Sequence, residues 1–222
     1  MARACLILDF DGTILDTEGP VYQSWAELWE EQGHELPRQL WQGLIGTDAG
    51  FDPWLELQRR AGRPLEPTLR DRRRARCEDL QSAHDTRDGI LDWLAEAERL
   101  GVPVGVASSS PTDWVDRHLR RLGVRQHFAC LSCCDDTVPA KPDPTSYRLA
   151  CDQLGADPSR SVAVEDSPHG VAAAVVTGLY TVAVPHGLTA DLDLSAADLV
   201  VPSLDGLRLA DVLARAHRRA VA

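Results

Sequence analysis

The sequence holds one lysine, Lys141, beside 22 arginines in 222 residues. A single ammonium in a chain that otherwise relies on guanidinium marks a position to follow, because the two cations differ in geometry and hydration. Positive charge is short overall: 23 basic against 34 acidic side chains leave a net charge of −11. A broad nucleic-acid surface is not expected, since a phosphate backbone is held by basic patches. No apolar run approaches the roughly 20 residues that would span a bilayer. The opening MARACLILDF reaches acid after too short an apolar segment for a secretory leader. The expectation is a cytoplasmic protein that binds neither nucleic acid nor membrane. Repeats and low-complexity tracts are missing, and so is a second cysteine knuckle. The six cysteines are irregularly spaced, and a chain of this size needs no disulfide staples, so reduced thiols are expected. CLSCC at 130–134 contains one C-x-x-C with His127 upstream. Structural zinc takes four ligands, usually from two such pairs, so Cys130–Cys134 reads more simply as small residues at the end of a strand.

What is present is an ordinary globular composition, 44% hydrophobic and 26% charged. It suffices for one good-sized domain, or a main domain with a smaller one attached. Short apolar runs bounded by turn residues recur at 4–8, 102–107, 161–164, 180–184 and 198–201. Helical spacing lies between them, with Ile90, Leu91, Leu94 and Ala97 in 90–100, and Trp114, Val115, His118, Leu119 and Leu122 in 112–122. Residues 206–219 read as a further amphipathic helix. Strands apolar throughout and alternating with helices predict an α/β fold, its parallel sheet covered on both faces.

Residues 18–84 break this alternation with helical stretches punctuated by GHELP, GTDAGFDP and AGRPLEP, and no strand-like run. The expected organisation is a helical domain over 17–84, inserted into a core of 1–16 and 85–222. Within it, LRDRRRARC at 69–77 reads as a solvated helix face or as a source of arginines facing an anionic ligand. Trp25, Trp29, Trp41 and Trp54 are expected mostly to hold the insert together, with room for one to stack on a sugar.

In an open parallel sheet, ligands bind beyond the carboxyl ends of the strands. Asp9 and Asp11 follow the first apolar run, SSSP (108–111) the second, and Glu165 and Asp166 the run at 161–164. AKPDP (140–144) lies on the loop before the helix that leads into that last run. Clustered carboxylates raise one another's pKa unless a divalent cation neutralises them, and Mg²⁺ prefers hard oxygen ligands with retained water. Ser108 and Ser109, at a strand end before a helix, can offer hydroxyl and backbone N–H groups to a phosphate. Lys141 is a compact charge for the same anion, its backbone restricted by Pro142 and Pro144, while Gly12 permits close backbone approach. Each stretch also has a purely structural reading: Asp11-Gly12 as a turn, Ser167-Pro168 as a helix start, SSSP as a helix entry. Four stretches of matching chemistry on one rim point instead to phosphoryl transfer. His169 and the other histidines read as surface or supporting residues.

These residues also carry a resemblance. DFDGTILDTE, VGVASSS, KPDP and VEDSPHG stand in the order and at the separations of the four motifs of the haloacid dehalogenase superfamily. The chain resembles the branch that includes β-phosphoglucomutases and sugar-phosphate phosphatases, and the match covers essentially its whole length. The resemblance implies a Rossmann-like three-layer core with an all-helical cap domain inserted after the first strand. It implies Asp9 as nucleophile and Asp11 as general acid/base. Mg²⁺ would be held by Asp9, the Asp11 backbone carbonyl and Asp166, with Glu165 at or beside the ion, and Ser108, Ser109 and Lys141 would hold the phosphoryl group. One carboxylate would attack phosphorus to form an aspartyl-phosphate while the other moves the proton.

Asp11 favours phosphate chemistry over dehalogenation, because a halide departs without a proton. Relatives with phosphoglucomutase activity carry a histidine and a cap-loop arginine where this chain has Val21 and Ala49. The expectation is therefore a phosphatase for a small phosphorylated metabolite, a sugar phosphate. A β-phosphoglucomutase-type mutase is the alternative, with Arg59 or Arg60 substituting for the grip on a second phosphate; a non-catalytic phosphate-ligand binder is the second. Gly46, Thr47 and Asp48 are the expected cap contacts to substrate. Oligomeric state is not legible, and a monomer is compatible with the sequence.

Overall fold

The computed structural model describes residues 3–42, 51–135 and 137–221. Six strands form one sheet: β1 (Leu6–Leu8), β2 (Val104–Ser108), β3 (Phe128–Cys133), β4 (Val162–Glu165), β5 (Tyr180–Ala183) and β6 (Leu199–Val200). Their order is β3-β2-β1-β4-β5-β6 and every pairing is parallel. This is the α/β, Rossmann-like arrangement expected, with β1 central and the order reversing around it.

Side-chain alternation along the strands sorts the core into two layers. Leu6, Leu8, Val104, Val106, Val162 and Val164 face one side, where they meet α5 (Ile90–Leu100), α6 (Thr112–Arg121) and α9 (Leu209–Val221). Ile7, Ala107 and Ala163 face the other, against α7 (Thr145–Leu154) and α8 (Pro168–Thr177). That second layer is built from small groups, Cys5, Cys130, Ala150, Cys151, Ala173 and Ala174 among them. A Cβ on Gly105 would come within 2.7 Å of the Cys130 sulfur. All six cysteines are free thiols, three of them, Cys5, Cys130 and Cys151, fill this thin layer, and β3 runs through the cysteine stretch rather than merely ending there. The apolar runs did not include β3. It lies at the sheet edge, where exposed Ala129 and half-buried Leu131 interrupt its apolar pattern.

Between β1 and β2 stand α1 (Glu18–Glu31), α2 (Arg38–Gln42), α3 (Pro53–Ala61) and α4 (Thr68–Ser82). They enclose their own apolar cluster of Leu28, Trp29, Leu36, Trp41, Trp54, Leu57 and Leu65, which Leu188 joins from the loop after β5. Asp52 starts α3 by accepting the N–H groups of Trp54 (2.8 Å) and Leu55 (3.1 Å). The second connection back to the sheet is tied down by Arg87. Its backbone N–H donates to Ile14 O (2.9 Å), and its guanidinium reaches Gly12 O (2.5 Å) and Val184 O (2.9 Å). None of the described helices is long and apolar enough to cross a membrane.

Candidate active site

β1 delivers Asp9 to the rim, where its backbone N–H bonds Val164 O (3.0 Å) and so registers it against β4. The chain then folds back on itself, with Gly12 N–H to Leu15 O at 2.7 Å. Gly12 has φ +84°, and a Cβ there would lie 2.2 Å from Asp166 Oδ2. Only glycine satisfies both the conformation and the contact. Gly170, in the first turn of α8, makes the same allowance for Glu165, whose carboxylate would stand 2.0 Å from an added Cβ. Ser167 begins that helix by accepting the Gly170 N–H (3.1 Å), with Pro168 following it.

Lys141 sits between two of the carboxylates brought together, its Nζ 2.5 Å from Asp9 Oδ1 and 2.6 Å from Glu165 Oε1. All three groups are buried. Burial alone would lower the lysine pKa, but the two carboxylates outweigh it and hold the ammonium above its usual range. Glu165 has its acceptors fully engaged. Tyr147 Oη donates to Oε1 (2.7 Å), while the Asp166 N–H (3.2 Å) and Ser167 Oγ (3.3 Å) reach Oε2. Lys141 also lies 5.0 Å from the centre of the Tyr147 ring.

Asp9, Glu165 and Asp166 each place a carboxylate oxygen within 4.8 Å of the others. Burial pushes Asp9 up to about 8, with Lys141 opposing and Glu165 and Asp11 adding. Asp166 is raised well above the carboxylate range by burial first, then by Asp9 and Glu165. A buried cluster of hard oxygen donors in which the charged forms of Asp9 and Asp166 are disfavoured suits a divalent cation of the Mg²⁺ type. Thr189, buried on the loop after β5, brings its Oγ1 to 3.4 Å from Asp166 Oδ2.

Asp11 stands apart from that trio, and three donors hold its carboxylate. Thr17 Oγ1 (2.9 Å) and Trp114 Nε1 (3.1 Å) donate to Oδ1, and Ser110 Oγ (2.6 Å) donates to Oδ2. Trp114 is backed edge-on by His118 (4.3 Å between ring centres) and covered by the Arg117 guanidinium (5.2 Å). His118 is not a surface residue. It is buried against Phe10 and Trp114 with neither ring nitrogen bonded. Burial, with Arg117 and Arg121 adding, lowers its pKa, so it packs as a neutral ring.

A cavity of about 520 Å³ joins these parts. Asp9, Asp11, Ser108, Ser109, Lys141 and Asp166 line it from the sheet, and Val21, Trp25, Arg73, Arg74 and Glu78 from the helical insert. Ser108 Oγ accepts the Ser110 N–H (3.0 Å) and Ser109 Oγ the Lys141 N–H (3.1 Å), so both serines also shape the loops they sit on. Glu18, at the start of α1, is pushed up to about 7 by burial and then by Asp11 and Asp16. Arg59 and Arg60 do not reach the cavity, because Glu56 holds both (2.6 and 2.8 Å). Gly46, Thr47, Asp48 and Ala49 lie outside the described residues. Sequence reasoning missed Ser110, Thr17, Tyr147 and the polar use of Trp114. Trp114 packs on the apolar face of α6 as its spacing predicts, and helical spacing carries no signal that its indole N–H also faces the site.

A family model described as haloacid dehalogenase-like hydrolase matches residues 4–178. YhcW of Bacillus subtilis is 38% identical over 209 residues, covering 94% of this chain and 95% of that protein. The N-acetylmuramic acid 6-phosphate phosphatase of Pseudomonas aeruginosa is 30% identical over 226 residues, covering 97% of each. A crystal structure of a CbbY mutant from Rhodobacter sphaeroides in complex with xylulose-(1,5)bisphosphate superposes with a TM-score of 0.74. It has 28% identity and covers 96% of this chain and 99% of that one.

Proposed function

The chain belongs to the haloacid dehalogenase-like hydrolase family and is a phosphoric monoester hydrolase, and on that premise we propose that it cleaves a sugar phosphate through an aspartyl-phosphate on Asp9. The observation that carries the reading is the Lys141 ammonium seated on Asp9 Oδ1 (2.5 Å), with Asp11 held two residues further on at the same cavity. Asp9 attacks phosphorus in line, an O–P bond forms, and the bond to the sugar oxygen breaks. Asp11, carrying a proton, gives it to that departing oxygen. It then takes a proton from water as the water attacks the phosphoryl group and releases Asp9 with inorganic phosphate. Lys141 stays beside the attacking oxygen throughout and offsets charge on the phosphoryl group, while Glu165 and Tyr147 keep the ammonium in place. Ser108 and Ser109 border the same space and are suited to contact the phosphoryl oxygens.

Mg²⁺ would be held by Asp9, Asp166 and the Asp11 backbone carbonyl, with Glu165 alongside. When bound, it supplies positive charge opposite the phosphoryl oxygens. Residues 17–84 act in this reading as a cap over the core of 1–16 and 85–222, closing the cavity against water. Val21 lines the cavity and offers no proton donor or acceptor, so water rather than a second sugar hydroxyl is the acceptor.

The test is phosphate release from a panel of sugar phosphates with Mg²⁺ and with EDTA, alongside Asp9→Asn. Cation-dependent release that the substitution abolishes is expected. Interconversion of hexose phosphates once a bisphosphate primer is added, without net release, would make the chain a mutase instead.

A further inference from the structure

The basic run at 69–77 divides in the folded chain. Arg72 pairs with Glu31, and Arg76 pairs with Glu27 at 2.9 Å. Arg73 has no carboxylate within salt-bridge distance among the described residues. Its guanidinium lies 4.7 Å from the centre of the Trp25 ring and donates to Ser24 Oγ (3.2 Å). Arg73 is half-buried. Burial draws its pKa down, and no carboxylate is among the groups acting on it. A partly desolvated cation without a counter-charge is costly unless an anion arrives to complete it.

Its surroundings suit an anion. Arg70 lies over Trp54 at 4.5 Å, and the Arg74 contact with Asp71 is long (4.0 Å) and exposed. Arg70, Arg73 and Arg74 line a pocket of about 190 Å³ with Trp25, Trp54 and Asp52. Asp52 Oδ1 is already engaged by the two N–H groups that start α3. Arg73, Arg74 and Trp25 also line the cavity that holds Asp9 and Lys141. The basic pocket therefore adjoins the active-site cavity on its helical side, with Trp25, Arg73 and Arg74 lining both. Glu18 and Glu78 border the main cavity but not the basic pocket.

We infer that the substrate carries a second anionic group, a carboxylate or a further phosphate, at the end away from the reacting phosphoryl group, and that Arg73 receives it with Arg70 and Arg74 beside it. A guanidinium already stacked on an indole is pre-ordered to take such an oxyanion through two N–H groups. The inference rests on the phosphatase reading and narrows its substrate class from sugar phosphates at large to acidic ones.

The test compares matched substrates: glucose 6-phosphate with 6-phosphogluconate, and fructose 6-phosphate with fructose 1,6-bisphosphate. The first pair isolates a carboxylate and the second a phosphate. For wild type, kcat/KM should favour one or both anionic members by about tenfold or more, mainly through KM, as a charge-assisted bond provides. Arg73→Gln should remove that preference. Arg73→Lys, which keeps charge without the planar fork, should retain part of it, and Arg76→Gln, on the same helix but held by Glu27, should keep it whole. Equal treatment of both members of each pair by wild type would overturn the inference and leave the phosphatase reading standing, and this measurement depends on no variant folding. A preference that survives in Arg73→Gln would overturn the assignment to Arg73. No release from any substrate by wild type with Mg²⁺ would instead overturn the phosphatase reading and the inference with it.

Discussion

At the scale of single residues, the site separates two tasks that adjacent aspartates could easily confuse. Asp9 belongs to Lys141 and the buried acids, whereas Asp11 belongs to three hydrogen-bond donors. If those donors position Asp11 for proton transfer, removing one should matter most where the leaving group needs a proton. Trp114→Phe keeps the ring against His118 (4.3 Å) and beneath Arg117 (5.2 Å) but deletes the N–H that reaches Asp11. Turnover of an alkyl phosphate should fall by about tenfold, the worth of one hydrogen bond to a charged group. Transfer from p-nitrophenyl phosphate, whose phenolate departs unaided, should fall much less. Parallel losses with both substrates would reduce Trp114 to a packing residue. The buried acids permit a test that needs no turnover. Without cation, Asp166 is a burdened group, destabilised by burial, Asp9 and Glu165. Asp166→Asn should therefore melt no lower than wild type in EDTA. At a hundredfold excess of Mg²⁺ over its Kd, wild type should gain about 2.7 kcal/mol, on the order of 5–10 °C for a chain of this length, and the variant much less. Equal gains would exclude Asp166 as a ligand.

At the scale of elements, loops at strand ends carry the chemistry and glycines set how closely they approach. Gly170→Ala should be severe, because the new methyl would stand 2.0 Å from the buried Glu165 carboxylate, which Lys141 and Tyr147 hold in place. A loss of about 1–3 kcal/mol from overpacking, with phosphatase activity falling alongside, is expected in urea melts. An unchanged midpoint would show that the loop yields freely. This element also marks what could be read in advance. VEDSPHG announced its strand, its cap and its acids, because a buried strand, an N-cap serine and a proline at the next position each leave a local signature. The interior strands were legible for the same reason, being apolar on both faces. β3 was not, because exposed Ala129 and half-buried Leu131 interrupt its apolar run, whereas β6 at the opposite edge falls within the run at 198–201. The roles of Trp114 and Tyr147 were illegible for a different reason. Each depends on a partner far away in sequence, Asp11 or Glu165, and periodicity reports only which face of a helix a residue occupies. His118, on the apolar face of α6, fits the supporting half of the reading given to the histidines, since it is buried against Trp114, whose N–H reaches Asp11.

At the scale of the whole molecule, one loop connects the parts that must act together. Residues 185–192 follow β5 and touch three regions. His186 Nε2 stands 3.4 Å from Asp16 Oδ1, where the chain leaves the core for the helices. Leu188 enters the apolar cluster of the helical insert, and Arg38 from α2 donates to the neighbouring Gly187 O (2.7 Å). Thr189 reaches Asp166. The seat of the insert and the position of a candidate cation ligand are thus fixed by adjacent residues of one segment. Leu188→Ala leaves every polar contact of the loop available and withdraws only the apolar anchor. Truncating a buried leucine typically costs about 2–5 kcal/mol, but here the cavity opens between the insert and the core rather than inside either. The expected result is faster proteolysis at the connections 16–17 and 83–89 and a several-fold lower kcat/KM. The Mg²⁺-induced rise in melting temperature should be retained, because the core carboxylates are untouched. Should proteolysis and kcat/KM both match wild type, Leu188 does not seat the insert. Should the Mg²⁺ response disappear as well, the loop acts on Asp166 directly, and the anchor and the cation site are one mechanical unit.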